Sequence, residues 1–200
     1  MIVVDVEACG TNPNKSSLVS IGAVDFKNPD NQFYEECHIF KGAEIEDEAL
    51  AVPGFSKKEI NDKNKKDPKE LIASFLRWAK KIKNATLVGN HVSFDRDFMR
   101  FPWIYRYKKK WPLGYRTIDL HSIAYGHFLK IGKRIPMEKN LSVLGTTRVL
   151  KYVGLPEEPR PHNALTGAKV EAEAFARLVY GKSILKEFAD YKIPKELIRS

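Results

Sequence analysis

The amino-acid sequence predicts an α/β fold in which a mixed central sheet of about five strands carries helices on both faces. Two patterns lead to this class: three β-type segments come first in the chain, and helical and β-type segments then alternate. Size agrees, because 200 residues with 43% hydrophobic side chains suffice for one domain with its own core. Neither a repeat nor a change of composition marks a second domain. We therefore expect one domain over residues 1–182 and a short docked tail over 183–200.

The first three strands are predicted from runs of branched and alternating apolar residues. Residues 2–6 form an unbroken Val/Ile-rich run that is too short for a helix, which predicts a strand buried on both faces. Segments 17–26 and 32–40 follow, separated by turn-forming Pro and Asn residues, and predict a hairpin or meander. Apolar residues at helical spacing over 68–83 then predict a helix that packs on the sheet.

Strands and helices alternate in the second half of the chain. The predicted strands are 85–89 and 116–118, and the predicted helices are 95–107, 119–129 and a broken helix over 141–153. The clearest element is an alanine-rich helix over 163–180, with Gly181 in the position of a C-terminal cap. Its small side chains allow this helix to lie close to the sheet.

Positive charge is concentrated in one quarter of the chain. The net charge is +9, and residues 100–151 hold 12 Lys or Arg against two acidic residues. Such clustering is typical of a protein that binds a polyanion such as nucleic acid, with an evenly solvated surface as the alternative. Within it, residues 103–111 interleave aromatic residues with cations, which suits either base stacking with phosphate contact or a cleft-lining helix with a solvated end. The substrate-binding lysines predicted here are Lys108, Lys109 and Lys110.

Cysteine content and the N-terminal sequence bear on the cellular compartment. Cys9 and Cys37 are too few for a disulfide scaffold and form no Cys-x-x-Cys pair. The N-terminal segment carries acids in its first apolar run, so we expect no signal peptide, and no apolar run reaches the roughly 20 residues that span a bilayer. These features predict a soluble, cytoplasmic protein with no membrane contact.

Acidic and histidine residues at the ends of predicted elements are the candidate functional groups. Asp5 and Glu7 lie two apart on a strand and so share one face, where a divalent cation would offset their repulsion; a wetted strand end is the alternative. Asp95 follows a strand and His162 precedes the last helix. In isolation, each is more typical of a helix cap or its neighbour, and Asp119 is predicted to be a cap.

The order of these signals along the chain is more specific than any one of them. Asp-x-Glu on the first strand, Leu-Val-Ser-Ile-Gly-Ala-Val on the second, Phe94-Asp95, and His-Asn-Ala-Leu entering the last helix together resemble the DnaQ-like 3′-5′ exonucleases of the DEDDh class. The resemblance covers about residues 1–180. It implies a ribonuclease H-like fold and an exonuclease-like domain over 1–182. It also implies two divalent cations, Mg²⁺ or Mn²⁺, and the release of 5′-monophosphates from single-stranded DNA or RNA 3′ ends.

The resemblance also implies roles for individual residues. Asp5, Glu7 and Asp95 become metal ligands, and His162 becomes the general base that accepts a proton from the attacking water. Phe94 is expected beside the terminal nucleotide. The other substrate-binding residues implied outside the basic segment are Ala8, Cys9, Pro53 and Asn90.

The chain departs from the family pattern at three places. The usual His-Asn pair reads Asn90-His91, and Pro53 replaces a polar residue in a Val-His-Gly-Ile-like loop. Gly167 stands where the fourth carboxylate of the family belongs, and neither metal binding nor helix propensity favours glycine there, although close approach of a neighbouring backbone would. Glu171 lies one helical turn further on and is a possible surrogate ligand; an exposed side chain near Lys169 is the alternative.

Gly167 leaves two functions open. The first is an active exonuclease with a weakened site that favours Mn²⁺, which Gly167→Asp is expected to improve at least tenfold. The alternative is a catalytically defective relative that still binds nucleic acid. The sequence favours neither DNA nor RNA and neither a monomer nor a homodimer, and it leaves a polymerase or other protein partner undefined.

Overall fold

A five-stranded mixed sheet forms the centre of the computed structural model, which describes residues 1–198. The strands are β1 (Ile2–Ala8), β2 (Leu18–Asp25), β3 (Gln32–Glu36), β4 (Leu87–Gly89) and β5 (Thr117–Asp119). Their spatial order is β3-β2-β1-β4-β5. The first three strands pair antiparallel as a meander, and β4 and β5 are added parallel to β1. The predicted class and the mixed sheet are confirmed.

Helices cover both faces of the sheet, as predicted. Their bounds are α1 (Asp47–Ala51), α2 (Pro68–Ala79), α3 (Val92–Phe101), α4 (Leu120–Lys130), α5 (Thr146–Tyr152) and α6 (Ala164–Tyr180). One hydrophobic core joins the sheet to α2 and α3, and a second joins its other face to α4, α5 and α6. Both cores include β1 residues, because Val3 points into one and Val4 into the other. Within residues 1–198, no helix combines the length and apolar character needed to cross a bilayer.

The start of α2 shows how local sequence fixes an element. Asp67 accepts a hydrogen bond from the backbone N–H of Glu70, and the Glu70 side chain accepts one from the backbone of Asp67, which completes a capping box. Pro68 occupies the first helical position, where no N–H is needed. The helix ends at Ala79, four residues before the predicted end, although Ile82 still packs into the core.

Several segments differ from the predicted elements. The broken helix expected over 141–153 is a two-stranded hairpin, β6 (Met137–Glu138) and β7 (Leu141–Ser142), followed by α5. Lys139 and Asn140 both have positive φ, 47° and 66°, and so form the turn without the glycine that usually signals it. Strand β3 ends at Glu36, and the next residue, Cys37, forms an isolated parallel bridge with Lys66. Helix α3 starts three residues before the expected position and continues into a short π-helical segment at Pro102–Arg106.

Helix α6 lies unusually close to the sheet, and small residues on both elements allow it. A Cβ atom at Gly22 of β2 would collide with the backbone of Ala164. Ala168, Ala172 and Ala176 are fully buried. The helix begins at Asn163, whose side chain accepts hydrogen bonds from two backbone N–H groups, and ends at Gly181, which has a φ of 65°. This packing brings the first half of α6 over β1.

Residues 183–198 pack along α6 through a buried ion pair. Arg177 Nε donates to Glu173 Oε1 at 2.7 Å, and both side chains are fully buried. Glu173 also accepts hydrogen bonds from the backbone of Ile184 and Leu185, and Arg177 donates to the carbonyl of Phe188. The pair therefore holds the C-terminal segment by its backbone.

Candidate functional site

A cavity of about 320 Å³ opens at the carboxyl end of β1. Parallel strands β1 and β4 end side by side there, and α3 and α6 start or pass over the same edge. The charged and polar residues that line the cavity are Asp5, Glu7, Asn90, His91, Asp95, Thr146, Thr147, Glu157, Glu158, Arg160, His162 and Glu171. The fold thus gathers the four proposed metal ligands and the proposed base in one place.

Asp95 is held against β1 and does not cap α3. Its Oδ1 accepts a hydrogen bond of 3.0 Å from the backbone N–H of Val6, and the residue is 4% exposed. The N-cap position is occupied by His91, in the left-handed conformation with a φ of 58° and with no side-chain cap. The capping alternative for Asp95 is therefore wrong. By contrast, Asp119 caps α4 as predicted, accepting from the N–H of Ser122.

Glu171 is buried in the site, so the solvated-face alternative for this residue is wrong. The residue is 6% exposed, and its Oε2 accepts a hydrogen bond of 3.1 Å from the backbone N–H of Asn90. Lys169 does not pair with it and instead contacts Glu187 at 3.2 Å. The carboxylate of Glu171 thus joins Asp5 and Asp95 around the cavity.

Gly167 allows α6 to lie directly against the side chain of Asp5. A Cβ atom at this position would lie 2.9 Å from Cγ of Asp5 and would overlap its Oδ2. The close approach is therefore made by a side chain, not by the neighbouring backbone that the sequence suggested. The Cβ of an aspartate at position 167 would need the space that the Asp5 carboxylate occupies, so Asp5 would have to shift, and the gain in activity expected from Gly167→Asp stays a prediction.

Burial and mutual repulsion raise the pKa values of the carboxyl groups in the cavity. Burial, followed by the charges of Asp95 and Glu171, raises the pKa of Asp5 well above its ordinary value. Burial and the charges of Glu158 and Asp95 raise the pKa of Glu7 to about 8. Burial raises the pKa of Asp95 to about 7, opposed by the hydrogen bond from Val6. A divalent cation would relieve this repulsion and favour the charged forms.

The residues present fit a hard divalent cation. Carboxylate oxygens dominate the donor set, as Mg²⁺ and Mn²⁺ prefer. Two buried oxygen atoms facing this region, Oδ1 of Asn90 and Oε1 of Glu158, have no hydrogen-bond partner among the described residues. Glu7, Glu158 and His162 each offer a ligand atom, and these atoms lie within 4.8 Å of one another.

His162 lies just before α6 and directs its ring into the cavity. Its backbone N–H donates to the carbonyl of Val52 at 3.1 Å, and its Nδ1 lies 3.6 Å from Oε2 of Glu158. The helix cap is supplied by the next residue, Asn163. The sequence analysis missed Glu158, although the prolines at 156, 159 and 161 marked its loop as conformationally restricted.

The predicted substrate-binding residues are only partly brought to the cavity. Phe94 lines it with 39% exposure and packs on Phe98 at a ring distance of 4.6 Å, and Asn90 lines it as well. The structure does not support the expected contact of the Cys9 side chain with substrate. Cys9 is fully buried, its Sγ donates to the carbonyl of Glu44, and it does not line the cavity. Ala8 is also buried away from the lining. Pro53 is buried in the loop whose Val52 carbonyl holds His162.

The aromatic and basic stretch 103–111 does not line the cavity. Three of its four aromatic residues, Trp103, Tyr107 and Trp111, pack against the core beneath α2, which explains their spacing without base stacking. The fourth, Tyr105, is 61% exposed, and base stacking by it stays a prediction. Lys108, Lys109 and Lys110 are exposed beside them, and their contact with a substrate stays a prediction. His91, which the sequence analysis named only for the reversed Asn90-His91 order, also lines the cavity, and its ring stacks on His121 at 6.1 Å.

Comparison with known proteins adds independent information. The chain matches the exonuclease family over residues 2–175. The 3′-5′ DNA exonuclease Cap18 of Escherichia coli is 27% identical over 179 residues, which are 87% of this chain and 88% of that protein. The PolC-type DNA polymerase III of Thermotoga petrophila is 27% identical over 180 residues, 89% of this chain but 12% of the polymerase.

Solved structures show the same fold. Exonuclease I of Escherichia coli, solved with a dA16 oligonucleotide, superimposes with a TM-score of 0.68 at 18% identity, covering 90% of this chain and 40% of that one. Cell-death related nuclease 4 has a TM-score of 0.65 at 16% identity, covering 91% of this chain and 64% of the nuclease. At this identity the likeness concerns the fold, which is ribonuclease H-like. This chain spans less than half of exonuclease I and about an eighth of the polymerase.

Proposed function

Because this chain belongs to the exonuclease family of hydrolases, we propose that it removes nucleotides from single-stranded 3′ ends and releases 5′-monophosphates by two-metal hydrolysis. The observation that carries the proposal is the convergence of Asp5, Glu7, Asp95 and Glu171 with His162 on one open cavity. These four carboxylates are the proposed ligands, with Glu171 as the surrogate for the group missing at position 167. Grouping four carboxylates costs free energy because their charges repel one another, and bound cations would offset that cost.

Each side chain has a separate part in the proposed reaction. Bound cations would stabilise the attacking and leaving oxygens of an in-line displacement. His162 faces Glu158 through Nδ1, so Nε2 is the atom proposed to accept a proton from the attacking water. Arg160 at the cavity wall provides a positive group for a substrate phosphate. The half-exposed ring of Phe94 offers a surface for the terminal base.

A single-stranded substrate is supported by the likeness to exonuclease I, which was solved with dA16 and dT13 oligonucleotides. The likeness to Cap18, a 3′-5′ DNA exonuclease, supports DNA as a substrate. The basic segment 100–151 would attract any polynucleotide, so we propose both DNA and RNA ends as substrates to be compared. The alternative of a binding protein without catalysis is favoured by Gly167 alone. The burial of Glu171 in the cavity weakens that alternative, because a fourth carboxylate is still present.

The proposal is tested with a 5′-labelled single strand incubated with Mg²⁺, Mn²⁺ or EDTA. We expect a ladder that shortens from the 3′ end with either cation and no cleavage in EDTA. Asp95→Asn is the inactive control, because it keeps the shape of the side chain and removes its charge. A phosphorothioate link at the 3′ end should block the ladder. Internal cleavage, cleavage in EDTA, or full activity of Asp95→Asn would refute the assignment.

A further inference from the structure

We propose that Glu158, on the loop before α6, is a cation ligand together with Glu7, in addition to the four carboxylates named above. The inference rests on the proposed metal-dependent function and adds a residue to it. Glu158 lies outside the motifs that the sequence shares with the exonuclease family, since it falls four residues before His162.

The first argument is the position of the Glu158 oxygens. Oε1 is buried and has no hydrogen-bond partner among the described residues, although the side chain is only 11% exposed. A buried carboxylate oxygen without a donor is costly, because it has lost its water and gained nothing in return. Glu7, 7% exposed, lies on the other side of the same space, and one oxygen from each falls within the 4.8 Å cluster. The charges of two such carboxylates repel each other, and a cation between them would offset that repulsion.

A role limited to orienting His162 does not explain this geometry. The distance of 3.6 Å between Oε2 of Glu158 and Nδ1 of His162 exceeds the range of a good hydrogen bond. Such a role would also leave Oε1 without a partner. The backbone N–H of Asn163 and the charge of His162 also act on the Glu158 carboxylate. A cation bound between Glu158 and Glu7 would supply the partner that Oε1 lacks.

The loop is built to hold Glu158 in place. Its N-terminal end is fixed by Leu155, which is buried and donates its N–H to the carbonyl of Leu150 at 2.9 Å. Its C-terminal end is fixed by the hydrogen bond from His162 to Val52. The prolines at 156, 159 and 161 restrict the backbone between these anchors, so less entropy is lost when a cation is bound.

Among the described residues, helix α6 places no carboxylate in the cluster formed by Glu7, Glu158 and His162. The space next to position 167 is taken by the carboxylate of Asp5. Glu171 accepts the N–H of Asn90 through its Oε2 and is not a member of the 4.8 Å cluster. A carboxylate near Glu7 therefore has to come from another element, and Glu158 is the one that the fold brings there.

The test measures Mn²⁺ binding to the full chain without nucleic acid, by titration calorimetry and by the electron paramagnetic resonance signal of free Mn²⁺. Glu158→Gln keeps the size of the side chain and removes its charge. Its neighbour Glu157 also lines the cavity but lies outside the 4.8 Å cluster, so Glu157→Gln is the matched control. We expect Glu158→Gln to weaken Mn²⁺ binding at one site at least about tenfold and Glu157→Gln to change it less than about twofold.

The outcomes separate this inference from the proposed function. Equal Mn²⁺ affinity of wild type and Glu158→Gln, or equal losses in both glutamine variants, would overturn the ligand role even if the wild type hydrolyses single strands. If Glu158→Gln loses Mn²⁺ affinity and the wild type does not hydrolyse single strands, the ligand role of Glu158 is supported and the proposed exonuclease function is refuted. If Glu158→Gln does not fold, Glu158→Asp keeps the charge on a shorter arm, and wild-type affinity at every site in that variant would overturn the inference.

Discussion

Replacing Gly167 with alanine should disable the site although alanine is the better helix former. A Cβ atom at this position would lie 2.9 Å from Cγ of Asp5, whereas ordinary contacts begin at 3.4 Å, and it would overlap Oδ2. The carboxylate therefore has to move by on the order of 1 Å, and a misplacement of that size near reacting atoms costs about 10²-fold in rate. We expect kcat to fall by about that factor. Gly167→Asp should fall as well, opposite to the rise that the family pattern predicts.

The stability of the same variant separates the two effects of the new methyl group. Alanine gains about 1 kcal/mol of helix propensity over glycine, and overpacking costs about 1–3 kcal/mol, so the net change in unfolding free energy should lie between zero and a loss of about 2 kcal/mol. Gly126 in α4 is the matched control, because it lies on an exposed helix face with nothing within 4 Å of its Cβ position. Gly126→Ala should gain about 1 kcal/mol and keep wild-type activity.

The assay is single-turnover hydrolysis of a 5′-labelled strand at saturating Mn²⁺, with urea unfolding of each variant in parallel. If Gly167→Ala folds and retains more than half of the wild-type rate, the position of Asp5 does not depend on the glycine. If Gly167→Asp is faster than wild type, α6 can move away from β1 and the helix can supply the fourth carboxylate.

Three further predictions follow from the site and the fold. His162→Ala should lower kcat by about 10²–10⁴-fold with a much smaller change in strand affinity, measured by fluorescence anisotropy in Ca²⁺; an equal loss in both would exclude a general base. Because the pKa of Glu7 is raised to about 8 in the folded protein, the folded state keeps a proton that the unfolded state releases, so the metal-free protein should lose stability as pH rises from about 5 to about 8. Calorimetry in EDTA should show its Tm falling by at least about 4 °C over that range, and Mg²⁺ should raise Tm more at pH 8 than at pH 5; a flat profile would contradict the repulsion. Arg177→Met should cost about 3–5 kcal/mol of unfolding free energy because it leaves Glu173 buried without its partner; a loss below about 1 kcal/mol in urea would show that the pair is dispensable.

The elements could be predicted from the sequence because local patterns determine them. The branched run of β1 and the capping box of α2 are complete within a few residues. The hairpin at Lys139 and Asn140 was missed for the opposite reason, since two residues with side chains adopt a conformation that glycine usually signals. Local patterns therefore predict an element well where its residues follow common preferences and poorly where tertiary contacts override them.

The use of each carboxylate was harder to predict than its presence. Asp5 and Glu7 could be paired from their spacing alone. The role of Asp95 depends on β4 lying next to β1, which brings its carboxylate to the N–H of Val6, and strand order is not written in any one segment. Glu171 and Glu173 look alike in the helix pattern, yet one lines the cavity and the other binds Arg177.

The two hydrogen bonds that close the site have a consequence for the time course of folding. Val6 and Asp95 are 89 residues apart, and Asn90 and Glu171 are 81 apart, so the carboxylates meet only after both ends of the chain have joined the sheet. Contacts of such sequence separation form late, since the intervening loops must close first. A cation that binds only the completed cluster therefore does not stabilise the folding transition state. Divalent metal should therefore leave the refolding rate almost unchanged and lower the unfolding rate. The metal-bound enzyme would then be kinetically stable because it unfolds slowly.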